Sequence, residues 1–171
     1  MKIYISGKIG EEVISDATRR KFARAEEMLK AKGYEVINPA SQKWQDLLRC
    51  SMLFEERKGH YVGDSYSFAL VTDLLSIWED CDAVYFLKDW MLSPGANAEY
   101  DFAWAIKKRM LFAKRDDACI YLFCRMCREA EAGGKTISTD RTLINKAKEA
   151  YCEAHLHEAW LPIEEGKEAE P

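Results

Sequence analysis

Residues 83–110 read AVYFLKDWMLSPGANAEYDFAWAIKKRM, a complete strand–loop–helix pattern. Ala83 to Leu87 is an apolar run with the length and composition of a buried strand. Polar and turn residues follow from Lys88 to Gly95. A helical pattern then runs from Ala96 to Lys108 and ends in basic residues, as the helix dipole favours. In an open α/β sheet, such a junction between the carboxyl end of a strand and a helix N-terminus is where ligands bind.

The flanking sequence holds further strand and helix patterns. Lys2 to Ser6 predicts a first strand, stopped by Gly7. Ser15-Asp16 offers an N-cap and an acidic first turn. Phe22, Ala25 and Leu29 recur at helical spacing as far as Lys32, and Gly33 is placed to end the helix. Tyr34 to Pro39 alternates and stops at proline, which predicts a second strand parallel to the first. Residues 40–62 are less regular. Trp44, Leu47, Leu48 and Met52 suit a short helix after Ser41, and 55–60 suit a charged loop. Ser65 or Ser67 is positioned to cap a further helix with Phe68, Val71, Leu75 and Trp78 as its buried stripe. Met110 to Ala113 predicts a fourth strand.

The pattern implies an α/β fold: a three-layer, Rossmann- or flavodoxin-like, mainly parallel sheet of order 2-1-3-4. The α/β core spans 1–114. A helical extension of the same domain covers 115–163, and an acidic tail covers 164–171. In that order the crevice opens between strands one and three, so a ligand meets Ser6–Lys8 and Lys88–Gly95.

Composition narrows the function classes. The chain has 171 residues, 48% hydrophobic and 32% charged, with a net charge of −4. It is therefore globular and lacks the basic surface of a general nucleic-acid binder, so no polymeric nucleic acid is expected. No apolar run reaches the roughly 20 residues that span a bilayer, and the N-terminal apolar stretch is short for a signal peptide. No membrane partner and a cytoplasmic location are the expectation. In that compartment the six cysteines read as free thiols. Cys124 and Cys127 have CxxC spacing but no second pair, so no metal is expected. Gly7 to Gly10 matches neither G-x-G-x-x-G nor a P-loop, and no cofactor is expected.

Glu99 lies one turn into its helix, on one face with Phe102, Ala103 and Ile106. A carboxylate heading an apolar face points toward a cleft at the edge of the core, or simply complements the helix dipole. Asp89 follows the third strand. Asp73 flanks the stripe of its helix, and Tyr4 lies in the first strand. Ser93-Pro94-Gly95 precedes a helix N-terminus suited to an anion.

Together these pieces resemble the nucleoside 2-deoxyribosyltransferase-like superfamily, nearest its short bacterial and phage-type relatives. The resemblance rests on Ile3-Tyr4-Ile5-Ser6-Gly7, Asn38-Pro39, Asp73 with Asp82, and above all Leu87-Lys88-Asp89-Trp90 with Ser93-x-Gly95-Ala96-x-x-Glu99 and Ala103. It covers residues 2–114. It implies that Glu99 is the nucleophile at the anomeric carbon, that Asp89 handles the leaving base, that Asp73 is a further acid, and that Tyr4 steadies the nucleophile. Ser6, Gly7, Lys8, Ser93 and Gly95 would hold substrate, with Trp90 stacking on a base or covering the sheet end. The transferases often have Asp-Gly where this chain has Asp89-Trp90.

The implied function is transfer or hydrolysis at the N-glycosidic bond of a (deoxy)nucleoside or its 5′-monophosphate, in a homodimer or larger homo-oligomer. The alternatives are a non-catalytic nucleotide-binding or sequestering module on the same fold, or a hydrolase of phosphate esters or NAD-type sugars.

Overall fold

The computed structural model describes residues 1–10, 13–136, 138 and 140–163. Four strands, β1 (Lys2–Ser6), β2 (Glu35–Ile37), β3 (Ala83–Phe86) and β4 (Arg109–Phe112), form one parallel sheet of order β2-β1-β3-β4. The register pairs Tyr4 with Ile37 on one side and with Val84 on the other. Helices α1 (Asp16–Ala31), α2 (Gln42–Arg57), α3 (Ser65–Glu79) and α4 (Pro94–Ala105) connect the strands, and a 3-10 turn (Trp90–Leu92) precedes α4. The fold is thus the Rossmann- or flavodoxin-like α/β architecture that the sequence implies. No described helix is long and apolar enough to cross a membrane.

The chain divides into two compact units, Met1–Met110 and Leu111–Pro171. In the first, Ile3, Tyr4, Ile5, Val84, Tyr85 and Phe86 are wholly inaccessible. Side chains alternate across a strand, so Tyr4 and Ser6 share one face of β1, and Ile3 and Ile5 the other. Gly7 follows because a Cβ there would meet Leu87 Cδ1 at 2.8 Å, while Leu87 N–H donates to Ser6 O at 2.8 Å. Glycine lets the ends of β1 and β3 close against each other at the sheet's carboxyl edge.

Local signals set most helix ends. Ser15 Oγ accepts from Thr18 N–H at the start of α1, and Gly33, with φ +83°, follows its end. Three expectations are corrected. Residues 55–57 belong to α2, not to a loop, because Ser41 caps the helix and nothing interrupts it before Gly59, at φ +78°. The cap of α3 is Asp64, whose carboxylate accepts from Ser67 N–H at 2.8 Å; Ser65 and Ser67 lie inside the helix. The expected stripe of α3 is largely exposed, with Val71, Leu75 and Trp78 at 57%, 47% and 57%. The helix buries Ser76 and Ile77 instead. Residues 76 and 77 lie three and four places after Asp73, so the acid is on the inward side.

In the second unit, α5 (Arg115–Ala132) and α6 (Arg141–Ala159) pack together, and Asp140 caps α6 by accepting from Thr142 N–H at 2.8 Å. Residues 120–123 lie inside α5, in keeping with the expected helical extension. The reading of six free thiols is corrected: Cys119 on α5 and Cys152 on α6 form a disulfide with Cα atoms 5.5 Å apart. Two facing helices bring the Cα atoms to a separation that a disulfide spans. Cys50, Cys81, Cys124 and Cys127 are free. The acidic tail at 164–171 lies outside the described residues.

Candidate functional site

Alternation along β1 turns Tyr4 and Ser6 toward α4, where Glu99 sits in the second turn. Tyr4 Oη donates to Glu99 Oε1 at 3.0 Å, and Ser6 Oγ donates to Glu99 Oε2 at 2.5 Å. Glu99 is 6% exposed, and Tyr4 and Ser6 are inaccessible. A buried carboxyl with both oxygens bonded by β1 is not a surface acid serving the helix dipole. Its position comes from the start of α4: Ser93 Oγ accepts from Ala96 N–H at 3.3 Å and Pro94 occupies the first helical position.

Asp73 joins them from α3. It lies close enough to act electrostatically on both Tyr4 and Glu99. Its Oδ1 accepts from the indole N–H of Trp44 at 3.0 Å. Burial drives the Glu99 carboxyl far above its ordinary range, and the neighbouring Asp73 charge adds to this, against the bonds from Ser6 and Tyr4. Burial likewise raises Asp73, while the bond from Trp44 and the nearby Tyr4 hydroxyl oppose the shift. The Tyr4 phenol is pushed up by burial and by both acids. Two acids that penalise each other's charge in a desolvated site resist ionising together.

Asp89 is held differently. Lys21 Nζ donates to its Oδ2 at 2.6 Å, and Lys8 N–H reaches its Oδ1 at 3.4 Å. Lys21 also donates to Lys8 O at 2.7 Å, so the ion pair clasps the loop that follows Gly7. Glu99 is therefore anchored at Ser6 and Asp89 at Lys8, both at the carboxyl end of β1. Trp90 is 6% exposed, stacks on Tyr100 at a centroid distance of 4.7 Å, and tilts against Phe86 at 5.2 Å. Of its two sequence readings, cover of the sheet end is the one this packing matches. Ser93 is buried and engaged as a helix cap. Gly95 lies under Tyr66, whose Oη would stand 3.4 Å from an added Cβ.

Sequence reasoning missed Trp44 and Lys21. Each is in the early turns of a helix that leaves the carboxyl end of a strand, the edge where this fold places ligands. That location was a usable signal. Their amphipathic spacing concealed it. Among the described residues no cluster of three or more His, Cys, Asp or Glu is arranged to hold a metal ion.

No curated protein and no solved structure matches the chain. A family profile described as Domain of unknown function (DUF4406) matches residues 1–112. That span holds Tyr4, Ser6, Trp44, Asp73, Asp89 and Glu99, so the site and the sheet come from the shared part of the sequence. The chain belongs to the DUF4406 family.

Proposed function

We propose that the protein cleaves, or transfers the sugar of, the N-glycosidic bond of a (deoxy)nucleoside or its 5′-monophosphate. The observation that supports this reading best is the pair of acids beside Tyr4: Glu99, buried and bonded by the Tyr4 hydroxyl, and the half-buried Asp73, whose charge acts on both. Two-step glycosyl transfer needs one carboxylate and one carboxylic acid at the same site. Two donors on Glu99, from Tyr4 and Ser6, favour the carboxylate there and leave the acid's proton to Asp73.

In this mechanism a Glu99 oxygen attacks the anomeric carbon. The C–N bond breaks, its electron pair stays with the base, and a proton from an acid neutralises the departing nitrogen. A sugar–Glu99 ester results. Water, giving its proton to the now ionised acid, or a second base, then attacks the anomeric carbon and releases Glu99. Tyr4 and Ser6, donating to opposite oxygens of Glu99, hold it against rotation and stabilise it as a leaving carboxylate. The resemblance gave the proton-donor role to Asp89. The geometry favours Asp73: both oxygens of Glu99 accept from Tyr4 and Ser6 and both oxygens of Asp89 accept from Lys21 and Lys8, whereas Trp44 donates to only one oxygen of Asp73. Asp89 and Lys21 then shape the β1 loop at the mouth of the site.

A homo-oligomer belongs to the proposal. Between Ser65 and Glu79 the charged residues are Asp73, turned inward, and the terminal Glu79. The exposed Val71, Leu75 and Trp78 thus make an uncharged apolar stripe, suited to a second copy related by a two-fold axis.

The deciding assay incubates the protein with a panel of deoxynucleosides and 5′-monophosphates, with and without an acceptor base, and follows free base by chromatography. Base exchange identifies a transferase, and base release alone a hydrolase. Glu99→Gln should abolish either. Nucleotide binding without turnover, unchanged in Glu99→Gln, would overturn the reading in favour of a binding module.

A further inference from the structure

Trp44 has both of its nitrogen donors committed. Its backbone N–H donates to Ser41 Oγ at 3.2 Å, which starts α2, and its indole N–H donates to Asp73 Oδ1 at 3.0 Å, on α3. The cap thus fixes the turn from which the indole reaches. Asp73 is faced by Tyr4 from β1, by Glu99 from α4 and by Trp44 from α2. Of these three, only Trp44 brings a group that donates and has no oxygen or nitrogen acceptor.

This restricts the proton. A carboxylic acid carries its proton on one oxygen, and an oxygen already accepting an indole N–H cannot point a proton along the same line. We propose that Trp44 is a positioning residue for the acid at Asp73. It holds Oδ1 as an acceptor, so that Oδ2 carries the proton and delivers it to the leaving group. The inference rests on the glycosyl-transfer reading for the word "delivers", and on the hydrogen bond alone for the assignment of the two oxygens. Rotation of the carboxyl, which would exchange the oxygens, breaks the Trp44 bond. The side chain that breaks the symmetry of Asp73 therefore comes from the segment between β2 and α3.

A purely structural role, stapling α2 to α3, would leave kcat and its pH profile unmoved, whereas both roles need the hydrogen bond itself. In wild-type protein labelled with ¹⁵N at the indole, the Trp44 Nε1–H resonance should titrate with Asp73, and the titration should vanish in Asp73→Asn. A resonance that does not titrate, or that still titrates in Asp73→Asn, overturns the assignment. This holds whether or not any nucleoside is turned over. If wild-type protein releases base, Trp44→Phe should lower kcat about tenfold to a hundredfold, with KM within about threefold. A donor to the ionised form favours ionisation, so its loss should also move the alkaline limb of the kcat profile upward by about one pH unit. A Trp44→Phe protein with unchanged kcat and limb overturns the positioning role. If Trp44→Phe does not fold, the wild-type and Asp73→Asn titrations still decide the question. Absence of base release from wild-type protein, with the resonance titrating as expected, overturns the glycosyl-transfer reading and leaves the Trp44–Asp73 assignment standing.

Discussion

Tyr4 and Glu99, 95 positions apart, are joined by a 3.0 Å hydrogen bond between the first strand and the fourth helix. The bond lies in the interior, where a phenol and a carboxyl both cost free energy unless they satisfy each other. The same interior makes the acids reluctant to ionise, and stability must therefore depend on pH.

The unfolded chain releases the protons of Glu99 and Asp73 near pH 4. The folded chain keeps them longer, because burial raises both carboxyls and the neighbouring Asp73 charge raises Glu99 further. Each pKa unit of that difference is worth about 1.4 kcal/mol of preference for the protonated form. The contribution is complete below the unfolded pKa and is lost as pH rises through the folded values. Thermal stability should accordingly fall between about pH 4 and pH 8. Glu99→Gln cannot ionise, so it should leave the melting temperature at pH 5 nearly unchanged, raise it at pH 8, and flatten the slope between them. Melting curves across that range check this, and a mutant as steep as wild type would refute it.

The Lys21–Asp89 pair should behave otherwise. Both side chains are about one-third exposed, at 32% and 30%, so the ion pair contributes roughly 0–1 kcal/mol to stability. Lys21→Ala should barely move the melting temperature. It should nevertheless lower kcat/KM for base release about tenfold, because the Lys8 loop loses its clasp at the mouth of the site. Steady-state kinetics beside a melting curve separate the effects. Loss of stability without loss of kcat/KM would make the pair structural.

Local signals carried much of this fold. Ser15 and Gly33 bracket α1 because capping and left-handed backbone are decided within a few residues. Glu99 was legible because an acid at the head of an apolar helical face is a local anomaly. Trp44 was not, since its role exists only where α2 crosses α3, and helical spacing describes one helix at a time. The α3 error has the same origin. Val71, Leu75 and Trp78 form the more hydrophobic stripe, but periodicity does not tell a face turned to the sheet from one left uncovered. The disulfide joins positions separated by 33 residues, and spacing alone cannot pair cysteines.

The uncovered α3 face gives a third prediction. Wild-type protein should sediment as a dimer or larger assembly at micromolar concentration, and Leu75→Glu, which places charge in the stripe at a 47% exposed position, should shift it to monomer. Such a surface change should alter the stability of the isolated chain by no more than about 0.5 kcal/mol. Analytical ultracentrifugation of both proteins, with circular dichroism to verify folding, makes the comparison. A wild-type monomer would remove the oligomer from the proposal.

The Cys119–Cys152 bond gives the last. It closes a loop of 33 positions between α5 and α6, which in the chain-entropy account stabilises the fold by roughly 3–4 kcal/mol. Alkylation in denaturant without reductant should modify four cysteines, the free Cys50, Cys81, Cys124 and Cys127, and all six only after reduction. Mass spectrometry reads the difference directly. Reduction, or the double substitution Cys119→Ser and Cys152→Ser, should lower the melting temperature by about 5–15 °C. The bond lies outside the site-bearing unit, so base release at room temperature should persist in the reduced protein. Six cysteines alkylated without reductant would show that the two thiols face each other unbonded, and reduction should then leave the melting temperature where it was.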